Sequence, residues 1–431
     1  MSTKITRINE IAKERPNEVF TSIYHLVNKE LLMECFKELD GSKATGLDNI
    51  TKDDYKQNLE NNLDILVEKL KNKSFRPSPA RTTKIPKSNG KTRTLAIANF
   101  EDKIVQLAFK KLIEAIFEPK FPNSMFGFRP NRGCHDALRQ VSKDIEWQYT
   151  NYVLEADIMG YFDNIDHDKL IKCLELHIKD PNVIRMIKRF LKAGVIEDNK
   201  YYVSETGTPQ GSILSPILAN IYMYYILIKW FETEVRRKCK GFASIINYAD
   251  DFICCFSYKS EAEKFYKELL PNRLRLGNLK LAKEKTRLLA FGRYANANSP
   301  TGKAETFDFL GFTHYCSKSS KGNFRVKRKT SKKKFRDKVK DFKIWIKDNR
   351  HLPLGDLLMT VRRKLTGHFN YYGITDNFHM IKKFRWVVLG YLFKYLNRRS
   401  QRESFTWSQF EDLIEFAGIP RAKIKVSIYA N

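Results

Sequence analysis

The chain has 431 residues, which is enough for two or three domains with substantial cores. Lys and Arg total 78 against 49 Asp and Glu, so the formal net charge is +29 and a polyanion is the expected partner. No apolar run approaches the roughly 20 residues needed to cross a bilayer, and the N-terminus lacks the apolar core of a signal peptide. The seven cysteines form no Cys-x-x-Cys pair, which favours reduced thiols in a cytoplasm and argues against a zinc site.

The N-terminal part is predicted to be helical, with one basic hairpin. Apolar residues recur at helical spacing over residues 18–39 and again over 55–70. Residues 81–93 are rich in Lys, Arg and Thr, and predict a β-hairpin that turns at Asn89-Gly90. An amphipathic helix is then predicted over residues 104–116.

Residues 150–315 alternate predicted strands and helices. Residues 152–158 read as a strand that ends near Asp157. Between residues 243 and 256, two apolar runs flank Tyr248-Ala249-Asp250-Asp251, which predicts a hairpin with two carboxylates at its turn. Adjacent acids in an apolar hairpin repel each other and lose solvation, so a cation is expected to compensate. For this pair alone, an Asp-rich surface turn is the alternative.

Three acids, each at a predicted strand end, indicate a divalent-metal site. Asp157 is far from Asp250 and Asp251 along the chain, so only a folded sheet could bring the three together. Such an arrangement holds two Mg²⁺ ions about 4 Å apart for in-line phosphoryl transfer. We therefore predict all three as metal ligands and catalytic residues, although any single Asp could simply solvate a strand end.

After about residue 316 the sequence becomes strongly basic. Lys327-Arg328-Lys329 and Lys332-Lys333-Lys334 are followed by apolar residues at three- and four-residue steps: Phe335, Val339, Phe342 and Trp345. One apolar stripe opposite a cationic face predicts a packed helix that lies along nucleic acid. A solvated helix face or a linker is the alternative. Further helical patterns follow, so an all-helical module is expected over residues 316–431.

Six sequence blocks occur in the order found in group II intron reverse transcriptases (maturases), and from about residue 40 the chain resembles this family. The blocks are Ile85-Pro86-Lys87 with Thr92-Arg93, Phe126-Gly127-Phe128-Arg129-Pro130-Asn131-Arg132, Asp157 through Phe162-Asp163, Gly207-Thr208-Pro209-Gln210-Gly211, Tyr248-Ala249-Asp250-Asp251 and Phe309-Leu310-Gly311-Phe312. Residues 367–373 resemble the family's thumb, or maturase, segment. Any one block is a weak signal, whereas six in order are specific.

The resemblance implies an α+β fold: a right-hand polymerase, with fingers and a palm containing antiparallel sheet, followed by an all-helical thumb or maturase domain. The reverse transcriptase domain is expected over residues 1–315, with the N-terminal helical extension and fingers over about 1–150 and the palm over about 150–315. The thumb would occupy residues 316–431.

The resemblance also implies an RNA-directed DNA polymerase that uses two Mg²⁺ ions and dNTP substrates. Its partners would be group II intron RNA, as template and ribonucleoprotein partner, and a DNA primer or target, with no membrane partner. A dimer is one option for an open oligomeric state, and a bacterial cytoplasm near the nucleoid is the expected location. Two alternatives are a splicing-only RNA-binding maturase and a domesticated relative in antiviral defence or DNA repair.

The resemblance assigns roles to individual residues. Lys87 and Arg93 would clamp the triphosphate, and Gln210 would lie against the nucleotide sugar. Tyr161 would exclude a ribose 2′-hydroxyl, and Phe162 would be a further nucleotide-binding residue. The alternatives are an exposed cationic hairpin for the first two and a core aromatic for Tyr161. Nucleic-acid contacts are expected from Arg81, Arg129, Arg132, Tyr248, Lys285, Gly311, Lys327, Arg328, Lys332 and Lys333. The Arg-Pro-Asn-Arg segment could instead cap the following helix.

The chain departs from the family pattern at two positions and in length. Ser212 stands where many members carry a second glycine, and Met159 replaces a usually basic residue. Neither is an expected metal ligand. Larger members add a DNA-binding region and an endonuclease after the thumb, and the chain ends at Asn431. We therefore expect insertion into DNA to use an existing 3′ end.

Overall fold

The computed structural model describes residues 3–86, 92–399 and 404–429. Its α-helices are α1 (Thr3–Glu14), α2 (Lys29–Glu38), α3 (Lys52–Gln57), α4 (Leu59–Lys71), α5 (Phe100–Phe117), α6 (Cys134–Glu146), α7 (His167–Glu175), α8 (Pro181–Lys192), α9 (Ser215–Met223), α10 (Arg236–Lys238), α11 (Lys259–Lys264), α12 (Leu270–Leu276), α13 (Ala295–Asn298), α14 (Lys332–Asn349), α15 (Leu354–Tyr372), α16 (Phe378–Leu396) and α17 (Trp407–Phe416).

The strands form three sheets, which together with the helices confirm the α+β class. They are β1 (Ala80–Pro86), β2 (Thr92–Ile97), β3 (Tyr152–Asp157), β4 (Val195–Glu197), β5 (Lys200–Tyr202), β6 (Ala243–Tyr248), β7 (Asp251–Phe256), β8 (Arg287–Ala290), β9 (Phe307–Phe309), β10 (Phe312–Lys318) and β11 (Phe324–Thr330). The strand orders are β2-β1-β4-β5, β6-β7-β3-β8 and β11-β10-β9. The second sheet is antiparallel throughout, as expected for the palm.

The basic hairpin is present as the antiparallel pair β1–β2, which extends into the first sheet through β4. Its predicted turn at Asn89-Gly90 lies outside the described residues. The helix predicted over 18–39 is wrong in its first half, because α2 begins only after the Asn28 N-cap. Upstream, the Asp180 carboxylate accepts hydrogen bonds from the backbone N–H groups of Ile23 and Tyr24, which hold that segment in a short 3₁₀ turn.

Residues 312–330 are strands and not part of a helix. β10 runs through the expected boundary at residue 315, and β11 carries part of the basic sequence assigned above to the helical module. In β11 alternate side chains, including Val326 and Arg328, are buried, which is the two-residue period of a strand. The region becomes helical at α14, which Ser331 caps at its N-terminus.

The hydrophobic core consists of two clusters. The first joins the N-terminal helices to the helices beside the palm sheet, and includes Leu107, Ile217 and Phe256. The second joins α6, the opposite side of that sheet and the C-terminal helices, and includes Val153 and Leu365. The C-terminal helices therefore share a core with the palm. None of the helices in the described parts of the chain is long and apolar enough to cross a bilayer.

Candidate active site

The palm sheet brings the three predicted acids to one strand end. Asp157 is the last residue of β3 and Asp251 the first of β7, and the two are direct partners in the antiparallel ladder. Cα atoms of such partners lie about 4.5–5.5 Å apart, so both side chains project from the same face. Asp250 lies in the two-residue turn between β6 and β7. The sheet register therefore assembles carboxylates that are distant in sequence.

These carboxylates carry more negative charge than their surroundings neutralise. Desolvation raises the pKa of Asp250; Asp157 adds to this effect, while Arg93 and Lys285 oppose it. Desolvation, followed by the charges of Asp250 and Asp157, raises the pKa of Asp251 to about 7. The Lys285 ammonium donates a hydrogen bond to Asp157 Oδ2 and is the cation nearest that carboxylate in the hydrogen-bond network.

The donor set fits a hard divalent cation. Carboxylate oxygens are the ligands that Mg²⁺ prefers. Desolvation, with added repulsion from Asp250 and Asp157, raises the pKa of Asp251, and added positive charge would favour its ionised form. As the side chains are placed, no three acidic, histidine or cysteine groups in the described part of the chain enclose a metal position.

The turn that carries Asp250 is braced by the Phe-Gly-Phe block. Ala249 has φ +59°, a conformation that costs energy for a residue with a Cβ. The Phe126 N–H donates to the Asn247 carbonyl at 2.9 Å, which ties the block to β6. A Cβ on Gly127 would lie 2.4 Å from the Ala249 nitrogen, so only glycine permits this approach.

The loop over residues 207–211 connects the finger hairpin to the palm. The Thr208 N–H donates to the Phe162 carbonyl at 2.8 Å, and the Gln210 carbonyl accepts from the Ala96 N–H of β2 at 2.7 Å. The Gln210 side chain donates to Asp163 Oδ1 at 3.0 Å. Gln210 is thereby held beside the turn that follows Asp157.

Two predicted site residues of the β1–β2 hairpin, Arg93 and Arg81, differ in exposure and in the groups they contact. Arg93 is exposed on β2 and close enough to Asp250 to oppose the rise of its pKa. Lys87 lies outside the described residues. Arg81, predicted to contact nucleic acid, is half-buried and donates to the Thr45 carbonyl at 2.9 Å within the fingers.

The prediction that Tyr161 excludes a ribose hydroxyl is wrong on geometric grounds. Tyr161 is 2% exposed, and its hydroxyl donates to the Ala219 carbonyl at 2.6 Å, so it belongs to the core alternative. The next residue, Phe162, is only half-buried and makes an edge-to-face contact with the exposed ring of Phe128, with ring centroids 6.1 Å apart. Phe162 is therefore the more accessible of the two adjacent aromatic rings.

Arg129 is buried, contrary to its predicted contact with nucleic acid. It is 7% exposed, and its guanidinium bonds the Glu118 carboxylate at 2.8–3.1 Å and the carbonyls of Pro122 and Met125. Arg132 is half-buried and donates to Asn123 Oδ1 at 2.7 Å. Neither arginine caps α6, because the cap bond runs from the Gly133 N–H to Asp136.

Arg328 is also buried, contrary to its predicted contact with nucleic acid. It is 0% exposed, lies opposite His314 in the β10–β11 pair and faces the Tyr429 ring at 5.9 Å. The strand period turns it inward, whereas Lys327 on the same strand is half-buried and Lys332 is exposed at the start of α14. A run of basic residues therefore does not form one continuous cationic face.

A cleft of about 780 Å³ runs from Asp251 to the C-terminal helices. Of the predicted contacts, Gly311 and Lys333 line it, and Gly311 lies in the turn between β9 and β10 with φ +79°. Tyr248 is half-buried, one residue before the turn that carries Asp250. The cleft is also lined by residues that the sequence analysis missed: Lys338, Lys364 and His368. Lys338 lies four residues after Lys334, so helical spacing could have predicted that both face the cleft. No sequence pattern predicted a cleft position for Lys364.

Comparison with known proteins identifies the family to which this chain belongs. Residues 85–314, more than half of the chain, match the family described as reverse transcriptase (RNA-dependent DNA polymerase). The chain belongs to the reverse transcriptase family. A second match, to the group II intron maturase-specific domain, covers residues 332–411. This reverse transcriptase is therefore of the group II intron-encoded kind, and the predicted RNA-directed DNA polymerase is confirmed.

The similar proteins match either most of this chain or only a part of it. The group II intron-encoded protein LtrA of Lactococcus lactis subsp. cremoris is 28% identical over 96% of this chain and 81% of its own length. The protein YkfC of Escherichia coli is 36% identical over 42% of this chain and 49% of its own length. Nuclear intron maturase 1 of Arabidopsis thaliana is 27% identical over 29% of this chain and 18% of its own length.

Proposed function

We propose that this reverse transcriptase extends a DNA primer on a group II intron RNA template, and that it also binds that RNA to assist splicing and retrohoming. The observation that carries the polymerase assignment is the ladder register that pairs Asp157 with Asp251 next to Asp250. The intron role is supported by the maturase-specific match over residues 332–411. The net charge of +29 fits a protein that holds RNA.

Asp157, Asp250 and Asp251 are the residues that would hold two Mg²⁺ ions. When bound, Mg²⁺ supplies Lewis-acid chemistry, since it lowers the pKa of the primer 3′-hydroxyl and neutralises charge that develops on the α-phosphate of a dNTP. The protein's own contribution is mostly positioning. The strand ends fix the carboxylates, and the Phe-Gly-Phe block fixes the turn between β6 and β7.

Other residues would orient the nucleotide. Arg93, exposed near the carboxylates, would pair with the triphosphate, and so would Lys87, which lies outside the described residues. Gln210, tethered to Asp163, would lie against the sugar. Phe162, and not Tyr161 as the resemblance implied, would occupy the space that a ribose 2′-hydroxyl needs. Lys333 would contact the nucleic-acid backbone in the cleft, and Lys285, which is bonded to Asp157, would contact it beside the carboxylates.

A bacterial cytoplasm, in association with the nucleoid, is our proposed location. It is supported by the basic charge and by seven cysteines that are all free thiols.

Primer extension on an RNA template in the presence of Mg²⁺ tests the polymerase proposal. Asp250→Asn removes one carboxylate charge at nearly constant volume, and we expect extension to fall by at least about two orders of magnitude, as when a group that stabilises transition-state charge is lost. Asp308→Asn is the matched control, because Asp308 lines the same cleft and is bonded by the Thr313 hydroxyl at 2.5 Å. Absence of RNA-templated extension by the parent would overturn the proposal and favour the splicing-only alternative.

A further inference from the structure

A second groove, of about 830 Å³, lies between α16 and α17. Its walls include two exposed tryptophans, Trp386 at 76% and Trp407 at 57% exposure. Trp407 is fixed from behind because its ring stacks on Phe393, with centroids 3.9 Å apart and an interplanar angle of 13°. A large, rigidly held ring with a free face is a platform on which a planar group can stack.

The floor of the groove follows one face of α16. Lys382, Trp386, Gly390 and Lys394 all line it, and their four-residue spacing places them in a row along the helix. Gly390 leaves the row open, since a Cβ at that position would meet no atom within 4 Å. Glycine destabilises the interior of a helix, and helix stability or packing does not account for its presence in α16. Its effect at position 390 is to leave the floor of the groove open.

The charge of the groove suits a polyanion, because four cations and one acid, Glu411, are among the described residues that line it. Lys382 and Lys394 are exposed at either end of the row. Two arginines also line the groove: Arg385, which donates to the Pro420 carbonyl, and Arg421, which is 3.3 Å from a carboxylate oxygen of Glu415. Cations that flank exposed aromatic rings are the combination by which proteins bind unpaired nucleic acid, with phosphates on the cations and bases on the rings.

The groove is separate from the polymerase cleft. Phe384 and Val388 of α16 line the cleft, whereas Trp386 and Gly390 line the groove. An offset of two residues corresponds to about 200° around a helix, so the two sites use opposite faces of α16. Nucleic acid in the cleft therefore leaves the groove accessible.

We propose that this groove binds an unpaired segment of RNA, with bases stacked on Trp386 and Trp407 and phosphates paired with Lys382 and Lys394. The proposal rests on the proposed function in one respect, the choice of RNA, because the groove lies in the maturase-specific region. The outer face of the thumb would then bind RNA while template and primer occupy the cleft.

The test uses the full chain with its cleft already filled. The protein is first loaded with an RNA template and a chain-terminated DNA primer, together with the next dNTP. A short fluorescein-labelled oligo(A) RNA is then titrated in, and its Kd is measured by fluorescence anisotropy. We expect Trp386→Ala to weaken binding about tenfold or more, the effect of losing one stacked base. Trp386→Phe retains a ring and should keep most of the affinity.

Gly390 provides a matched size series. Gly390→Met places a side chain in the groove and should weaken oligo(A) binding to a similar extent, while Gly390→Ala leaves the groove open and should bind like the parent. Both substitutions raise helix propensity, so misfolding does not explain a loss. Trp147→Ala removes a 71% exposed tryptophan outside the groove and should change nothing. All variants should extend a short primer normally.

Unchanged oligo(A) affinity in both Trp386→Ala and Gly390→Met would overturn the proposal, as would absence of oligo(A) binding by the loaded parent. A parental dimer that Trp386→Ala dissociates in sedimentation velocity would also overturn it, because a second copy would then occupy the groove. Failure of the polymerase assignment is seen separately, as absence of primer extension by the parent.

Discussion

Two adjacent aromatic residues have opposite environments just after the end of β3. Gly160 adopts φ +54°, and the following 3₁₀ turn directs Tyr161 into the core and leaves Phe162 half-buried against Phe128. The Tyr161 hydroxyl is occupied by the Ala219 carbonyl. Discrimination against ribonucleotides should therefore depend on Phe162.

We predict that Phe162→Val increases ribonucleotide incorporation, because it removes the ring that would contact a 2′-hydroxyl. Tyr161→Phe should leave sugar discrimination unchanged and lower stability by about 1 kcal/mol, the usual net value of one buried hydrogen bond. Primer extension with matched dNTP and rNTP pairs measures the first effect, and thermal unfolding the second. Altered discrimination in Tyr161→Phe alone would contradict this assignment.

His368 gives the thumb a pH-dependent stability. It stacks on Phe384 with ring centroids 3.7 Å apart, and burial, with a smaller contribution from Lys338, lowers its pKa to about 3. Between pH 6.5 and 3 the unfolded chain binds a proton that the folded chain does not, so the free energy of unfolding falls as pH falls. From pH 6.5 to 5 this amounts to about 1.6 kcal/mol.

We predict that His368→Phe flattens this acid dependence, since it keeps the stacking and removes the titrating group. Thermal unfolding of parent and variant between pH 7 and pH 5 measures the difference. Asp102, whose pKa burial raises to about 7, acts with the opposite sign in both proteins and cancels in the comparison. Parallel curves for the two proteins would contradict the prediction.

The residue types of the candidate site could be read from the sequence, but the orientation of its arginines could not. Asp157 and Asp250-Asp251 stand at strand ends that apolar runs make visible. The burial of Arg129 depends on Glu118, which lies on the preceding 3₁₀ turn. Arg328 is buried by the strand period and the Tyr429 ring, and the latter is about one hundred residues away in sequence.

At the scale of elements, the position of the β6–β7 turn depends on a segment from outside the hairpin. Gly127 approaches the Ala249 nitrogen so closely that any side chain must displace one of the two backbones. The Asn220 side chain donates to the Gly127 carbonyl at 2.8 Å, which fixes the block from the other side. Small movements here are transmitted directly to Asp250.

We predict that Gly127→Ala lowers the rate of primer extension by about 100-fold while the protein stays folded, because a shift of roughly 1 Å in a catalytic group has effects of this size. Gly355→Ala is the matched control: a Cβ there meets no atom within 4 Å, and activity should be that of the parent. Single-turnover extension separates the rate from primer affinity. A normal rate in Gly127→Ala would show that the turn position is not critical.

Elements with a strong apolar period were predictable, and those set by distant partners were not. The β6–β7 hairpin and α5 follow their sequence patterns. The segment over residues 18–27 has helical spacing, yet the Asp180 carboxylate captures its N–H groups. Residues 316–330 were assigned to a helix because their lysines obscured an alternation that becomes visible only when β11 pairs with β10.

At the scale of the whole molecule, the excess of cations should make RNA affinity strongly dependent on salt. We predict that log Kd rises linearly with log salt, and that Lys333→Met and Lys338→Met each reduce the slope by about one, because each removes one phosphate contact in the cleft. Arg328→Met should leave the slope unchanged, since this side chain is 0% exposed. Fluorescence titrations over a salt series give the slopes. A slope near zero in the parent would contradict a multi-phosphate contact.

The core shared by the palm sheet and the C-terminal helices limits how this enzyme can be rearranged. Val153 and Ile253 of the sheet, Leu138 of α6 and Leu365 of α15 belong to one apolar cluster. A chimera that exchanges only residues after the β11–α14 junction would cut through this cluster and leave mismatched surfaces on both halves. Exchange of the thumb for that of another intron protein would have to transfer α6 and the β9–β11 sheet as well. The segment that can be exchanged without disrupting the core is therefore larger than the helical domain.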